Sequence, residues 1–95
     1  MSKFIPNALT IAGVDPSGGA GVLADIKAMS AVGAYATGVI TALTAQSTQG
    51  VMGIYPIDIA FIKQQIDVLF EDVRIDAVKI GMLGQEPVIH TVVDR

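Results

Sequence analysis

Apolar positions fall into blocks along this chain, and each block is closed by glycine or by a short polar stretch. Ala8 to Ala12 is a nearly unbroken apolar or β-prone run that ends at Gly13. Such a run suits a parallel strand buried on both faces. From Ala20 the spacing changes. Val22, Ile26, Met29 and Val32 share one face at helical spacing, and Gly33 stands where a helix-ending glycine is expected. Ala36 to Ala45 is rich in β-branched residues and predicts a second buried strand, followed by a polar loop from Gln46 to Gly50. Val51 to Ile57 predicts a short edge strand, weakened by Gly53 and Pro56. Asp58 can cap a helix running to about Glu71, with Ile59, Ile62, Ile66, Leu69 and Phe70 as its apolar stripe. Ile75 to Ile80 predicts another buried strand, closed by Gly81. Pro87 is a good first residue for a last helix carrying Val88, Ile89, Val92 and Val93. Strand and helix alternate, which implies a parallel sheet in a layered α/β fold. The helices are too few to cover both faces of three buried strands, so residues 1–95 are expected to be the N-terminal part of one larger domain.

One residue breaks the pattern of the first helix. Asp25 falls on the apolar face, between the directions of Val32 and Met29, while Lys27 points away. A carboxylate among core positions is costly unless it is paired or hydrogen-bonded. Two readings stand: a first-turn acid that favours the helix dipole, or a buried group of a site. The preceding loop, Val14-Asp15-Pro16-Ser17-Gly18-Gly19, joins strand to helix. Its position matches the ligand crevice at the carboxyl ends of strands in open α/β sheets. The first helical N–H groups lack intrahelical partners and can face an acceptor there. The loop is not a phosphate loop, because no Lys-Ser or Lys-Thr follows, and it lacks the G-x-G-x-x-G dinucleotide spacing.

If the three buried strands are parallel neighbours, their ends meet at one sheet edge. Gly13, Thr44-Ala45-Gln46 and Gly81-Met82 would then line one pocket. A glycine loop, a carboxylate, an amide and a thioether suit a small polar heteroaromatic ring. The Gln46 amide offers a donor beside an acceptor, matching the N/NH2 edge of an aminopyrimidine, and Met82 can lie against the ring face. The plainer alternatives are a loop-starting Gln46, a core-filling Met82 and a surface charge at Lys79. His90 is read as structural or exposed.

Composition narrows the classes. The chain has 95 residues, 52% hydrophobic and 16% charged, too apolar for disorder. The net charge of −3 and the lack of a basic run argue against a nucleic-acid or anionic-membrane surface. No cysteine is present, so disulfides, thiolate zinc sites and a cysteine nucleophile are excluded, and the single histidine precludes a multi-histidine metal site within the chain. Neither a secretory signal nor a run of about 18 apolar residues is seen, and a cytoplasmic location is expected.

The segments ALTIAGVDPSGGAGVLADIK (Ala8 to Lys27), VITALTAQSTQG (Val39 to Gly50) and VRIDAVKIGML (Val73 to Leu83) resemble the hydroxymethylpyrimidine/phosphomethylpyrimidine kinases of thiamine biosynthesis, in the ribokinase-like superfamily. The resemblance covers nearly the whole chain. It implies a three-layer α/β/α sandwich around a mostly parallel sheet, often dimeric. It implies transfer of the γ-phosphate of ATP to 4-amino-5-hydroxymethyl-2-methylpyrimidine and then to its monophosphate. Gly13, Asp25, Gln46 and Met82 match positions that line the pyrimidine pocket. Val14 departs from the Ser or Thr common there. The family's ATP and Mg2+ sites, anion hole and catalytic base are expected beyond Arg95, so the segment alone is expected to be inactive and to contain no catalytic residue. A pyridoxal or dual-specificity kinase, and a non-catalytic pyrimidine sensor, are the competing expectations.

Overall fold

A computed structural model describes residues 5–81. They form β1 (Asn7–Val14), α1 (Gly21–Ala31), β2 (Tyr35–Ser47), β3 (Gly50–Pro56), α2 (Ile59–Asp72) and β4 (Ala77–Ile80). The sheet order is β3-β2-β1-β4. β1 pairs in parallel with both β2 and β4, whereas β3 runs antiparallel on β2 as the expected edge strand. The expected mostly parallel α/β architecture is therefore present. Met82, His90 and the helix expected from Pro87 lie outside the described residues.

β1 is central, and the burial of every residue from Ala8 to Ile11 and Ala12 follows from that position. Its side chains alternate between two covers. Leu9 and Ile11, with Val39 of β2, pack against Ile62 and Ile66 of α2, and all five are buried. Burial of each such side chain contributes about 1.5–3 kcal/mol. Thr10 faces the opposite way, toward α1, where Gly38 leaves room for Val22. A Cβ at Gly38 would stand 3.0 Å from Val22 Cγ1. The two helices therefore cover opposite faces of β1 and β2, as a three-layer sandwich requires.

Three expectations about these elements need correction. The Ile75–Ile80 segment is not a buried strand: β4 begins at Ala77, and all four of its residues are exposed. It holds one edge of the described sheet, so its apolar character alone does not bury it. β2 does not stop at Ala45 before a polar loop. It continues to Ser47 and turns through Thr48 and Gln49 into β3, so Gln46 is a strand residue paired with Val51. Val32 and Phe70 are not core residues either. Val32 follows the last turn of α1 and is 83% exposed, and Phe70 is also exposed.

The helix ends are local. Asp58 occupies the N-cap of α2, but its side chain makes no capping bond. Its backbone carbonyl instead accepts from Phe61 and Ile62 N–H at 2.9 and 3.0 Å. α1 closes with a Schellman arrangement. Gly33 N–H donates to the Ser30 carbonyl, Ala34 N–H donates to Met29, and Gly33 takes φ +90° as expected. On α2, Gln65 reaches beyond the end of β3 to the free edge of β2. Its amide accepts from Ile40 N–H at 3.0 Å and donates to Ile40 O at 2.9 Å, doing there what a neighbouring strand would do.

Candidate functional site

The carboxyl ends of β1, β2 and β4 open on one cleft of about 720 Å³. Gly13, Asp25 and Gln46 all line it, together with Asp15, Thr44 and Lys79. The structure thus brings together three of the four residues singled out in the sequence. The fourth, Met82, lies outside the described residues, although the cleft includes its neighbour Gly81.

Asp25 sits at the junction of three elements. It is carried by α1 and is 8% exposed. Thr10 of β1 donates from Oγ1 to Asp25 Oδ2 at 2.6 Å, and Lys79 of β4 donates from Nζ to Oδ1 at 2.5 Å. The bond to Lys79 lowers the carboxyl pKa most. The Thr10 hydroxyl lowers it further, burial works against both, and the charge of Lys79 adds to the lowering. Asp25 is accordingly an ionised group with both oxygens engaged. Lys79 is not the plain surface charge expected from its place in the sequence. Its side chain is 61% exposed, but its ammonium is committed to Asp25. Thr10, fully buried, is the second group that sequence reasoning passed over. Its signal was a hydroxyl inside an apolar strand.

The glycine loop has an organiser of its own. Asp15 is buried, and its Oδ1 accepts from Ser17 N–H at 2.9 Å and from Ser17 Oγ at 2.7 Å. The Ser17 hydroxyl lowers the Asp15 pKa most, burial raises it, and backbone N–H groups of Ser17, Gly19 and Ala20 lower it further. These are loop N–H groups, ahead of the first residue of α1 at Gly21. The loop closes on its own carboxylate, an Asx-type turn of the kind Asp forms with residues just downstream. The following turn is tight. Gly21 takes φ +65°, and a Cβ there would lie 2.2 Å from the Gly13 carbonyl oxygen. Gly13 in turn borders β2, with its own Cβ direction 3.5 Å from the Ala42 carbonyl.

On the β2 side, Thr44 and Gln46 follow the strand alternation onto the cleft, next to a register shift between Ala45 and Gln46. Thr44 Oγ1 donates to the Val14 carbonyl at 2.7 Å and lies 3.0 Å from Gln46 Oε1. The strand thereby holds both the loop and the amide. The cleft combines a neutralised ion pair, an amide and small apolar walls, a lining for a compact, neutral, polar ring.

The family model described as phosphomethylpyrimidine kinase matches residues 15–95. This chain belongs to the phosphomethylpyrimidine kinase family. It is 56% identical over 89 residues to the hydroxymethylpyrimidine/phosphomethylpyrimidine kinase of Escherichia coli (strain K12), an alignment covering 94% of this chain and 34% of that protein. The crystal structure of phosphomethylpyrimidine kinase from Clostridium difficile 630 superposes with a TM-score of 0.89 at 49% identity, over 96% of this chain and 39% of that one. The pyridoxal kinase of Staphylococcus aureus, solved in complex with AMP-PCP and pyridoxal, gives a TM-score of 0.86 at 29% identity, over 97% of this chain and 34% of that one. The chain spans about a third of the length of these relatives, and the shared fold is that of vitamin kinases.

No cluster of three or more His, Cys, Asp or Glu side chains able to hold a metal is found among the described residues. In the loop, the N–H groups of Ser17, Gly19 and Ala20 face the Asp15 carboxylate.

Proposed function

We propose that residues 1–95 are the N-terminal part of a single kinase domain. In this reading they supply the pyrimidine side of a site that phosphorylates 4-amino-5-hydroxymethyl-2-methylpyrimidine and its monophosphate with ATP in thiamine biosynthesis. Gly13, Asp25, Gln46 and Met82 are the pyrimidine contacts, and the ATP and Mg2+ contacts come from family regions outside this segment. The observation that carries the reading is the meeting of Gly13, Asp25 and Gln46 at one cleft. Family membership supports it.

Each group has a task that suits such a ring. Gly13 lets the ring approach the backbone. Gln46 reads an edge that carries a donor beside an acceptor. Asp25, held by Thr10 and Lys79, sets a rigid polar wall while adding little net charge. Binding and orientation are the contribution of this part, and in phosphoryl transfer positioning is a large share of catalysis. A homodimer of the complete kinase and a cytoplasmic location complete the proposal. No helix among the described residues is long and apolar enough to cross a membrane.

Pyridoxal kinase is the second reading, favoured by the likeness to the Staphylococcus aureus enzyme. Calorimetric titration of the full chain with the hydroxymethylpyrimidine and with pyridoxal separates the two. Tighter binding of the pyrimidine is expected. Tighter binding of pyridoxal would move the assignment to the second reading.

A further inference from the structure

Thr44 Oγ1 has two oxygen neighbours within hydrogen-bond distance, the Val14 carbonyl at 2.7 Å and Gln46 Oε1 at 3.0 Å. A threonine hydroxyl carries one proton, so it cannot satisfy both. The Val14 carbonyl belongs to the backbone and can only accept. The Gln46 amide has no such limit. Its two ends are nearly the same size, and turning it over exchanges acceptor for donor without moving any other atom. Thr44 then donates to Val14, and Gln46 Nε2–H donates to Thr44 Oγ1. In this arrangement all three groups are paired, which their part-buried setting favours.

We propose that Thr44 fixes the polarity of the Gln46 amide and so determines which edge of a heteroaromatic ring the cleft accepts. The proposal rests on reading the cleft as the pyrimidine site. Of the two amide protons, the one directed away from the carbonyl goes to Thr44. The carbonyl oxygen and the remaining N–H lie side by side, leaving the cleft one acceptor next to one donor in a set order. That order takes an amino group beside an unprotonated ring nitrogen. A ring bearing an oxo group beside a ring N–H has the reverse order. It would bring acceptor against acceptor and donor against donor. Thr44 is a positioning residue in this scheme: it acts on the ligand through Gln46.

The test compares two rings in calorimetric titrations of the full chain: the 4-amino-5-hydroxymethyl-2-methylpyrimidine and its 4-oxo counterpart. The unaltered protein is expected to favour the amino ring by roughly ten- to hundredfold. Thr44→Val keeps the shape but removes the hydroxyl, freeing the amide to turn. The preference is expected to shrink by about tenfold, chiefly because the oxo ring binds better. Thr44→Ser is expected to retain it. An unchanged preference in Thr44→Val overturns the proposal, and because the readout is a ratio, partial unfolding of a variant cancels. A ligand-free measurement keeps it separate from the functional reading. In nitrogen-15 spectra, one Gln46 side-chain N–H is expected to exchange more slowly than the other in the unaltered protein and in Thr44→Ser, but not in Thr44→Val. If neither ring binds the unaltered protein, the pyrimidine reading fails. The role of Thr44 is then decided by exchange alone, and two equally fast N–H groups would sink it.

Discussion

Two buried carboxylates border the same cleft and are stabilised in opposite ways. Asp15 is satisfied within its own loop, by Ser17 and the N–H groups that follow it. Asp25 is satisfied from afar, by Thr10 on β1 and Lys79 on β4, 15 and 54 residues away along the chain. The first arrangement needs only a short turn with the right residues. The second exists only once the helix and both strands are in place. The Asp15 turn is therefore local, while the Asp25 junction reports on assembly of the sheet.

The sharpest break on the local side is Gly21→Ala. The added methyl would meet the Gly13 carbonyl at 2.2 Å, with the backbone already at φ +65°. The left-handed conformation alone costs an L-residue about 1–2 kcal/mol, and the clash is with rigid backbone. Denaturant unfolding of the full chain is expected to show a loss of more than about 2 kcal/mol, with the cleft distorted as well.

Breaking the long-range side comes next. Lys79→Met removes the main partner of a buried carboxylate, and a loss of about 1–3 kcal/mol is expected at pH 7. Much of the lysine is exposed, so the solvent-screened attraction adds little to that. The pH dependence gives the sign. In the unaltered protein the folded-state pKa of Asp25 is lowered from 3.8. Its contribution is therefore complete above that value and is lost as pH falls through the folded-state pKa. In Lys79→Met the chief cause of the lowering is gone. The stability gap between the two proteins should narrow as the medium is acidified below about pH 4, and a gap independent of pH would remove the ion pair from the account.

Gly33→Ala is the smallest change and serves as the control for Gly21. Gly33 also has positive φ, at +90°, but nothing lies within 4 Å of the added Cβ. Only conformational strain remains, partly offset by the stiffer unfolded chain, for a net loss of about 1 kcal/mol. A loss equal to that of Gly21→Ala would show that strain, and not the approach to Gly13, governs the loop.

This contrast also explains what could be read in advance. The run Ala8–Ala12 and the helical spacing of Ile62 and Ile66 follow from periodicity, and the strand ends meet because β1, β2 and β4 are neighbours in the sheet. The odd placement of Asp25 was visible because a helix has a fixed angular step. Its partner Lys79 was not, since pairing across 54 residues depends on strand order and not on any local pattern. Asp15 with Ser17 was a legible Asx signal that the glycines overshadowed. The length of β2 was misread because Gln46 and Ser47 are polar. Their strand conformation comes from antiparallel pairing with Val51 and Gly50, which the one-dimensional pattern does not display. The burial of β4 was overestimated for a related reason: apolar content does not reveal an edge position.

The central claim is that this cleft reads a pyrimidine through Gln46. Calorimetric titration of 4-amino-5-hydroxymethyl-2-methylpyrimidine into the full chain and into Gln46→Leu tests it most directly, with matched unfolding curves to establish that both are folded. Leucine keeps the bulk but leaves the ring's polar edge unpaired, at a cost of about 1–3 kcal/mol. The account predicts binding to the unaltered chain and affinity lower by roughly tenfold or more in Gln46→Leu. Equal affinity in two folded proteins would contradict it and remove Gln46 from the site.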